Sequence, residues 1–191
     1  METLLYVTGN QSKFESAKNL MKSFGIEIEQ CDLDIQEIQS DSAEEITINK
    51  AQKAFEILKK PLFVNDASWI IPALNGFPGP YMKYINSWFV PQDFINLMSG
   101  RENRQVILRD TIVYADENFT KTFSHDIHGT ILEEAKGSDK HPSESIISLS
   151  PNGLSIAEEN KKGSLFLESE REVWEEFANW LKKDGRVELL P

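Results

Sequence analysis

Hydrophobic positions recur along the chain with two different spacings. Short apolar runs at residues 4–7 and 62–64 each stop at polar, turn-forming residues, as buried strands do. Between these runs, apolar side chains return every three or four positions, which is typical of helices that pack one face on a core. One predicted helix face consists of Phe14, Ala17, Leu20, Met21 and Phe24, and the other of Ile48, Ala51, Phe55 and Leu58.

Polar residues mark where these elements begin and end. Gly25 ends the first helix, and residues 26–33 read as a second strand. An acidic loop at residues 36–41 follows. Ser42, with Glu45 three positions later, predicts a capping box at the start of the second helix.

The second half of the chain contains longer strand patterns. Residues 105–115 predict a strand and residues 118–132 its hairpin partner, whereas residues 133–160 have no clear period. A packed last helix is predicted from Val173, Trp174, Phe177, Trp180 and Leu181. Strands that alternate with helices and then a hairpin indicate an α/β protein. A length of 191 residues suits a single domain, residues 1–191.

The net charge of the chain limits the kinds of molecule that it is expected to bind. The chain has 20 Lys and Arg against 31 Asp and Glu, a net charge of -11. This balance argues against a nucleic-acid or anionic-membrane surface, which needs clustered positive charge. A small anionic ligand, held by a few lysines and a metal ion, remains compatible with it.

Three features of the sequence indicate a cytoplasmic protein. It has one cysteine, Cys31, no leader pattern at its start, and no run of 18 apolar residues that could span a membrane. We therefore expect a cytoplasmic protein without a membrane partner.

The first strand, turn and helix form a candidate anion site. Thr8, Gly9 and Asn10 separate the strand from the helix, so backbone N–H groups and the positive end of the helix dipole face the same place. Lys13 lies in the first helical turn, within reach of the same anion. The segment is not a Walker A loop, because the second Gly-Lys-Ser/Thr is missing. The alternative is a simple turn and helix cap.

Two carboxylates and two lysines are further candidates. Asp66 follows an apolar strand, where ligand sites of α/β sheets cluster, and could hold Mg²⁺ or accept a proton from water. Equally, it could cap the next turn. Glu37 is a second candidate oxygen ligand, although an acid in a loop is usually solvated. Lys50 and Lys53 could add positive charge, but helix lysines are usually solvated as well.

Taken together, the motifs resemble a known family. Thr8 to Lys13, residues 34–37, residues 48–51, residues 64–66 and residues 74–83 occur in the order and spacing of the inosine triphosphate pyrophosphatase (Ham1-like) family. The last of these segments, with its Pro-Gly-Pro-Tyr sequence, is most similar to the eukaryotic and archaeal branch. The resemblance is strong over residues 4–84 and extends to about residue 135.

The resemblance implies a fold and an activity. The fold would be an elongated mixed sheet flanked by helices, with two lobes around a central cleft, and the protein would be a homodimer. The activity would be Mg²⁺-dependent hydrolysis of non-canonical purine nucleoside triphosphates, such as ITP, XTP and dITP, to the monophosphate and pyrophosphate. This reaction would remove non-canonical nucleotides from the nucleotide pool.

The resemblance also implies roles for individual residues. Glu37 and Asp66 would hold Mg²⁺, Asp66 would also orient or activate the attacking water, and Lys13 would act with it in catalysis. Charge on the phosphate oxygens would be neutralised by the metal and the lysines. The residues implied to bind the substrate are Thr8, Gly9, Asn10, Lys13, Lys50, Ser169 and Arg171.

The C-terminal half departs from the family pattern. The Phe-Gly-Tyr/Trp-Asp segment that stacks on the base is replaced by residues 140–145, which contain no Phe, Tyr or Trp. The His of the family's Ser-His-Arg element is Glu170 here. We therefore expect a retained phosphate site and an altered base pocket. Two alternatives follow: a pyrophosphatase for another modified nucleotide, and a nucleotide-binding protein without turnover.

Overall fold

The computed structural model describes residues 3–162 and 171–187. Its helices are α1 Gln11–Ser23, α2 Ala43–Leu58, α3 Met82–Trp88, α4 Pro91–Leu97, α5 Ile156–Lys161 and α6 Arg171–Lys183. Its strands are β1 Leu4–Val7, β2 Ile28–Cys31, β3 Leu62–Ile70, β4 Pro78–Gly79, β5 Gln105–Ala115, β6 Thr120–Ile131 and β7 Ile147–Ser148. The predicted α/β class is confirmed.

The strands form one mixed sheet. Its order is β2-β1-β3-β5-β6-β7, and the two-residue strand β4 pairs with β3. β1 runs parallel to β2 and to β3, with Tyr6 beside Phe63, whereas β4 and β7 pair antiparallel with their neighbours. The parallel strands need helical crossovers, which α1 and α2 supply.

The chain divides into two compact units, and the division falls inside β3, β5 and β6. One unit comprises Met1–Asp66, Asp110–His125 and Glu168–Pro191, and the other Ala67–Arg109 and Asp126–Leu167. The predicted single domain with a cleft between two lobes stays a prediction.

The first unit has apolar layers on both faces of its strands. On one face, Val7 and Val64 pack with Ala51 and Ala54 of α2. On the other, the ring of Tyr6 stacks on Phe63 at a centroid distance of 4.6 Å. Because side chains alternate along a strand, β1 and β3 contribute to both layers.

The second unit has its own apolar core. Its fully buried side chains come from α3, α4 and the strand segments beside them: Ile71, Met82, Ile85, Phe94, Met98, Val106, Ile131, Ile146 and Ile147. Two aromatic side chains of α3 lie outside this core. Tyr84 and Trp88 are 52% and 72% exposed, and their rings contact each other at 5.8 Å between centroids.

Most predicted elements are found with small changes of length. The strand at residues 105–115 has the predicted bounds, and the predicted hairpin partner is β6. The second strand is shorter than residues 26–33, since it covers only Ile28–Cys31. Within the described residues, no helix is long and apolar enough to cross a membrane.

Two predicted details are wrong. The strand expected to stop before Asp66 continues to Ile70, because β4 gives its second half a new pairing partner. The capping box of α2 is only half formed. The Ser42 hydroxyl accepts a hydrogen bond from the Glu45 backbone N–H, but the Glu45 carboxylate binds the Ser40 hydroxyl instead.

Candidate active site

The turn between β1 and α1 is held by its own polar side chains. The Asn10 side chain caps α1 by accepting the Lys13 backbone N–H at 3.2 Å, and the Asn10 N–H donates to the Thr8 hydroxyl at 3.1 Å. The Thr8 N–H donates to the Cys31 carbonyl at 3.0 Å, which ties the turn to β2. The segment therefore forms a turn and a helix cap, an arrangement that is compatible with an anion site. The positive end of the α1 dipole faces the space beside this turn.

Gly9 lies against the carboxylate of Asp32, a residue that belongs to none of the sequence motifs. A Cβ built at Gly9 would be 2.7 Å from Asp32 Oδ1, so a larger residue would force the Asp32 side chain to rotate. Asp32 follows β2 directly, and Val7 of β1 is in register with Cys31 of β2. That pairing brings Asp32 to the turn, but it could not be deduced before the strands were aligned.

Lys13 and Asp66 are brought together. The Lys13 ammonium donates a hydrogen bond to Asp66 Oδ1 at 3.3 Å, and the two side chains are 40% and 45% exposed. Asp66 lies within β3 rather than at its end. Still, β3 is in register with β1 only at residues 62 and 63, so Asp66 lies just beyond the parallel pairing, near where β1 ends. Asp66 therefore lies at the same edge of the sheet as the turn between β1 and α1, as predicted, although β3 is longer than expected.

The second lysine–carboxylate pair links α2 to the acidic loop. The Lys50 ammonium lies 2.8 Å from Glu37 Oε1. One helical turn further on, the Lys53 ammonium donates to the Gln36 carbonyl at 3.0 Å. Both lysines therefore hold the loop, and the expectation that they are merely solvated is wrong. Only Lys50 contacts an acidic side chain there.

A buried carboxylate lies on the strand next to Asp66. Asp110 of β5 is 8% exposed and accepts a hydrogen bond from the Asn65 amide at 2.6 Å. Burial raises the pKa of Asp110, while the Asn65 hydrogen bond and the Lys13 charge lower it. Burial also raises the pKa of Tyr6, and the Asp110 and Asp66 charges raise it further.

The residues predicted to hold Mg²⁺ have suitable chemistry. Glu37 and Asp66 offer carboxylate oxygens on side chains that are 50% and 45% exposed, so a cation can reach them. Mg²⁺ in nucleotide enzymes is commonly held by one or two carboxylates together with substrate phosphates and water. In the part of the chain that the structure describes, no group of three or more His, Cys, Asp or Glu could hold a metal. The prediction that Glu37 and Asp66 hold Mg²⁺ therefore stays a prediction.

Ser169 and Arg171 are the two substrate-binding residues predicted near the last helix. Ser169 lies outside the described residues. The guanidinium of Arg171 lies over the ring of Phe24, 5.1 Å from its centroid. Phe24 caps the C-terminal end of α1, about 16 Å along the helix axis from Lys13 at a rise of about 1.5 Å per residue. The structure therefore places the Arg171 guanidinium against Phe24, and its contact with a substrate stays a prediction.

Comparisons with known proteins agree on one family. The family model described as the Ham1 family matches residues 4–163. A dITP/XTP pyrophosphatase of Methanopyrus kandleri is 34% identical over 182 residues, which are 95% of this chain and 97% of that protein. Inosine triphosphate pyrophosphatase 2 of Trypanosoma cruzi is 34% identical over 132 residues, 69% of this chain and 67% of that protein.

Solved structures give the same fold. The Ham1 protein of Staphylococcus aureus superposes with a TM-score of 0.79 at 20% identity, covering 95% of this chain and all of that one. A HAM1 protein from Coxiella burnetii gives a TM-score of 0.79 at 19% identity over 96% of this chain and all of its own.

Proposed function

The chain belongs to the Ham1 family, and we propose that it is a nucleoside triphosphate pyrophosphatase. This hydrolase would convert non-canonical purine triphosphates, such as XTP, dITP and ITP, to the monophosphate and pyrophosphate. The observation that carries the proposal is the pair of lysine–carboxylate contacts, Lys13 with Asp66 and Lys50 with Glu37. A helix N-terminus beside two lysines and two accessible carboxylates suits a triphosphate.

The phosphate end of the substrate would lie over the turn formed by Thr8, Gly9 and Asn10. The ammonium groups of Lys13 and Lys50 would move from the carboxylates to phosphate oxygens and neutralise the charge that develops there. Asp66 would orient a water molecule and accept its proton. The water oxygen then bonds to phosphorus, the anhydride bond between the α- and β-phosphates breaks, and pyrophosphate leaves.

Glu37 and Asp66 would hold a divalent cation, which we propose is Mg²⁺. The cation would neutralise charge on the phosphate oxygens when the nucleotide binds. Oxygen ligands alone suit Mg²⁺ better than a softer metal.

The base that the enzyme prefers has two candidate answers. Ser169 and Arg171 would contact the base if the family pattern held here. The absence of Phe, Tyr or Trp from residues 140–145, and Glu170 in place of the family's His, favour a pyrophosphatase whose base preference has shifted to another modified nucleotide. A nucleotide-binding protein without turnover is less well supported, because it has no need for both lysine–carboxylate pairs.

We also propose that the protein is a cytoplasmic homodimer. Support for the dimer comes from the exposed apolar side chains of Tyr84, Trp88 and Val90, at 52%, 72% and 57% exposure. A cluster of such side chains on a chain with a net charge of -11 is a natural surface for a second copy.

The experiment that tests the activity measures products from a panel of nucleotides. XTP, ITP, dITP, GTP, dGTP, ATP and CTP are each incubated with the protein, with and without Mg²⁺. The products are separated into monophosphate plus pyrophosphate or diphosphate plus phosphate. We expect metal-dependent pyrophosphate release that is faster with XTP, ITP and dITP than with GTP, dGTP, ATP or CTP. Release that is fastest with another base would favour the shifted preference, and no release from any nucleotide would contradict the activity.

A further inference from the structure

Asp110 and Asn65 form a buried contact beside Asp66. Asp110 Oδ1 accepts a hydrogen bond from Asn65 Nδ2 at 2.6 Å, and the same Nδ2 also donates to the Thr111 carbonyl at 3.2 Å. Both N–H groups of the Asn65 amide therefore bind β5. A side chain held at two points cannot rotate, so Asn65 is fixed against the neighbouring strand.

This contact is stronger than a hydrogen bond at the surface. Asp110 is 8% exposed, and its neighbours include the fully buried Tyr6 and the 3% exposed Trp174. In such a low-dielectric environment a hydrogen bond is electrostatically stronger, and an unmade one is costly. The Asn65–Asp110 bond therefore sets the position of the β3 backbone at this point.

Asp66 depends on that position. Its side chain is 45% exposed and can rotate, but its Cα is one residue from Asn65. A carboxylate that orients water must be held within a fraction of an ångström, because misplacement by about 1 Å can cost about 100-fold in rate. The Asn65–Asp110 hydrogen bond of 2.6 Å therefore adjoins, one residue away, the carboxylate that binds Lys13 at 3.3 Å.

We propose that Asp110 is a positioning residue for the hydrolysis. It acts through Asn65 to fix the Asp66 carboxylate relative to Lys13, and it does not itself touch the substrate. The proposal rests on the proposed pyrophosphatase activity. It assigns a role to a buried acid that otherwise has only a structural explanation.

Two variants at position 110 keep or remove the acceptor of this hydrogen bond. In Asp110→Asn, the new amide oxygen can still accept from Asn65, whereas Asp110→Leu fills the space without an acceptor. We expect kcat of Asp110→Asn to stay within about 3-fold of wild type. We expect kcat of Asp110→Leu to fall by roughly 10- to 100-fold with KM within about 2-fold. A merely structural role would lower the amount of folded protein and leave kcat per folded molecule unchanged.

A second variant covers the case in which Asp110→Leu does not fold. Asn65→Ala removes the donor from a partly exposed position, and we expect a similar fall in kcat. If Asp110 acts through Asn65, the double variant Asn65→Ala/Asp110→Leu is no slower than either single variant. Asp116→Asn is the matched control. It alters another buried Asp, at the end of β5, where the carboxylate pairs with Arg186, and it should lower stability without changing kcat.

The outcomes separate the two proposals. Wild-type protein without pyrophosphate release overturns the activity and the positioning role together. An active wild type with unchanged kcat in folded Asp110→Leu, or in Asn65→Ala, overturns the positioning role alone. Strictly additive losses in the double variant also overturn it, because they mean that Asp110 acts independently of Asn65.

Discussion

The Lys13 ammonium and the Asp66 carboxylate lie 3.3 Å apart, although 53 positions separate them in the sequence. The contact joins the first turn of α1 to the middle of β3. It brings the helix N-terminus, a cation and a carboxylate to one place, which is the combination that a triphosphate and a metal ion require. A second lysine–carboxylate contact, Lys50 with Glu37, joins the middle of α2 to the acidic loop.

The first prediction concerns Lys50 and its neighbour on α2. Lys50→Met removes the ammonium that binds Glu37, and we expect KM for the triphosphate to rise by roughly 10- to 100-fold, the range for losing a hydrogen bond between charged groups. Lys53→Met is the matched control, because the Lys53 ammonium binds the Gln36 carbonyl instead. Its KM should change by less than about 3-fold. Equal effects in steady-state kinetics would mean that Lys50 contributes only general positive charge.

The second prediction concerns the pH dependence of stability at Asp110. Burial raises the pKa of this carboxyl above its unfolded value of about 4, so the folded state binds the proton more tightly than the unfolded state does. Asp110 therefore costs stability as pH rises from about 4 through its folded pKa. Asn at this position does not titrate. We expect the free energy of unfolding of wild type, minus that of Asp110→Asn, to fall as pH rises.

Urea denaturation of both proteins at pH 5, 6.5 and 8 measures this difference directly. Changes in other groups cancel between the two proteins, since only residue 110 differs. A difference that stays constant, or that grows with pH, would show that the folded protein does not favour the protonated carboxyl.

The third prediction concerns the exposed aromatic side chains of α3. Tyr84→Ser/Trp88→Ser removes two large apolar groups, and we expect light scattering to show one chain where wild type shows two. Ile57→Ser is the control, since Ile57 is 59% exposed on α2, in the other unit. It should leave the mass unchanged. A wild type that is already a monomer at micromolar concentration would contradict the dimer.

Much of the fold follows from local pattern. The bounds of β5 match the predicted ones, and Phe14, Ala17, Leu20 and Met21 of the predicted face of α1 are buried. These features depend on the period of the apolar side chains, which the sequence contains. The length of β3 does not follow from it, because its last residues, Trp69 and Ile70, pair with β4, a strand of only two residues.

The sequence motifs predict some residues of the candidate site. They do not predict the residues that reach it only through the pairing of strands. Lys13, Glu37, Lys50 and Asp66 lie in the segments that carry the family resemblance. Asp110 lies in an ordinary strand pattern, and only the pairing of β3 with β5 places it beside Asn65. Arg171 was assigned from a short motif at the start of the last helix, and the position of that helix depends on packing that no local pattern contains.

The most direct test of the account compares wild type with Asp66→Asn in pyrophosphate release from XTP and dITP in the presence of Mg²⁺. The substitution removes one charge with almost no change of shape, so the fold, checked by circular dichroism, should be intact. We expect kcat to fall by roughly 10²- to 10⁴-fold, the range for loss of a positioned acid or base, while nucleotide binding remains measurable. An Asp66→Asn variant that retains most of the wild-type rate would contradict the central claim that Asp66 activates the attacking water.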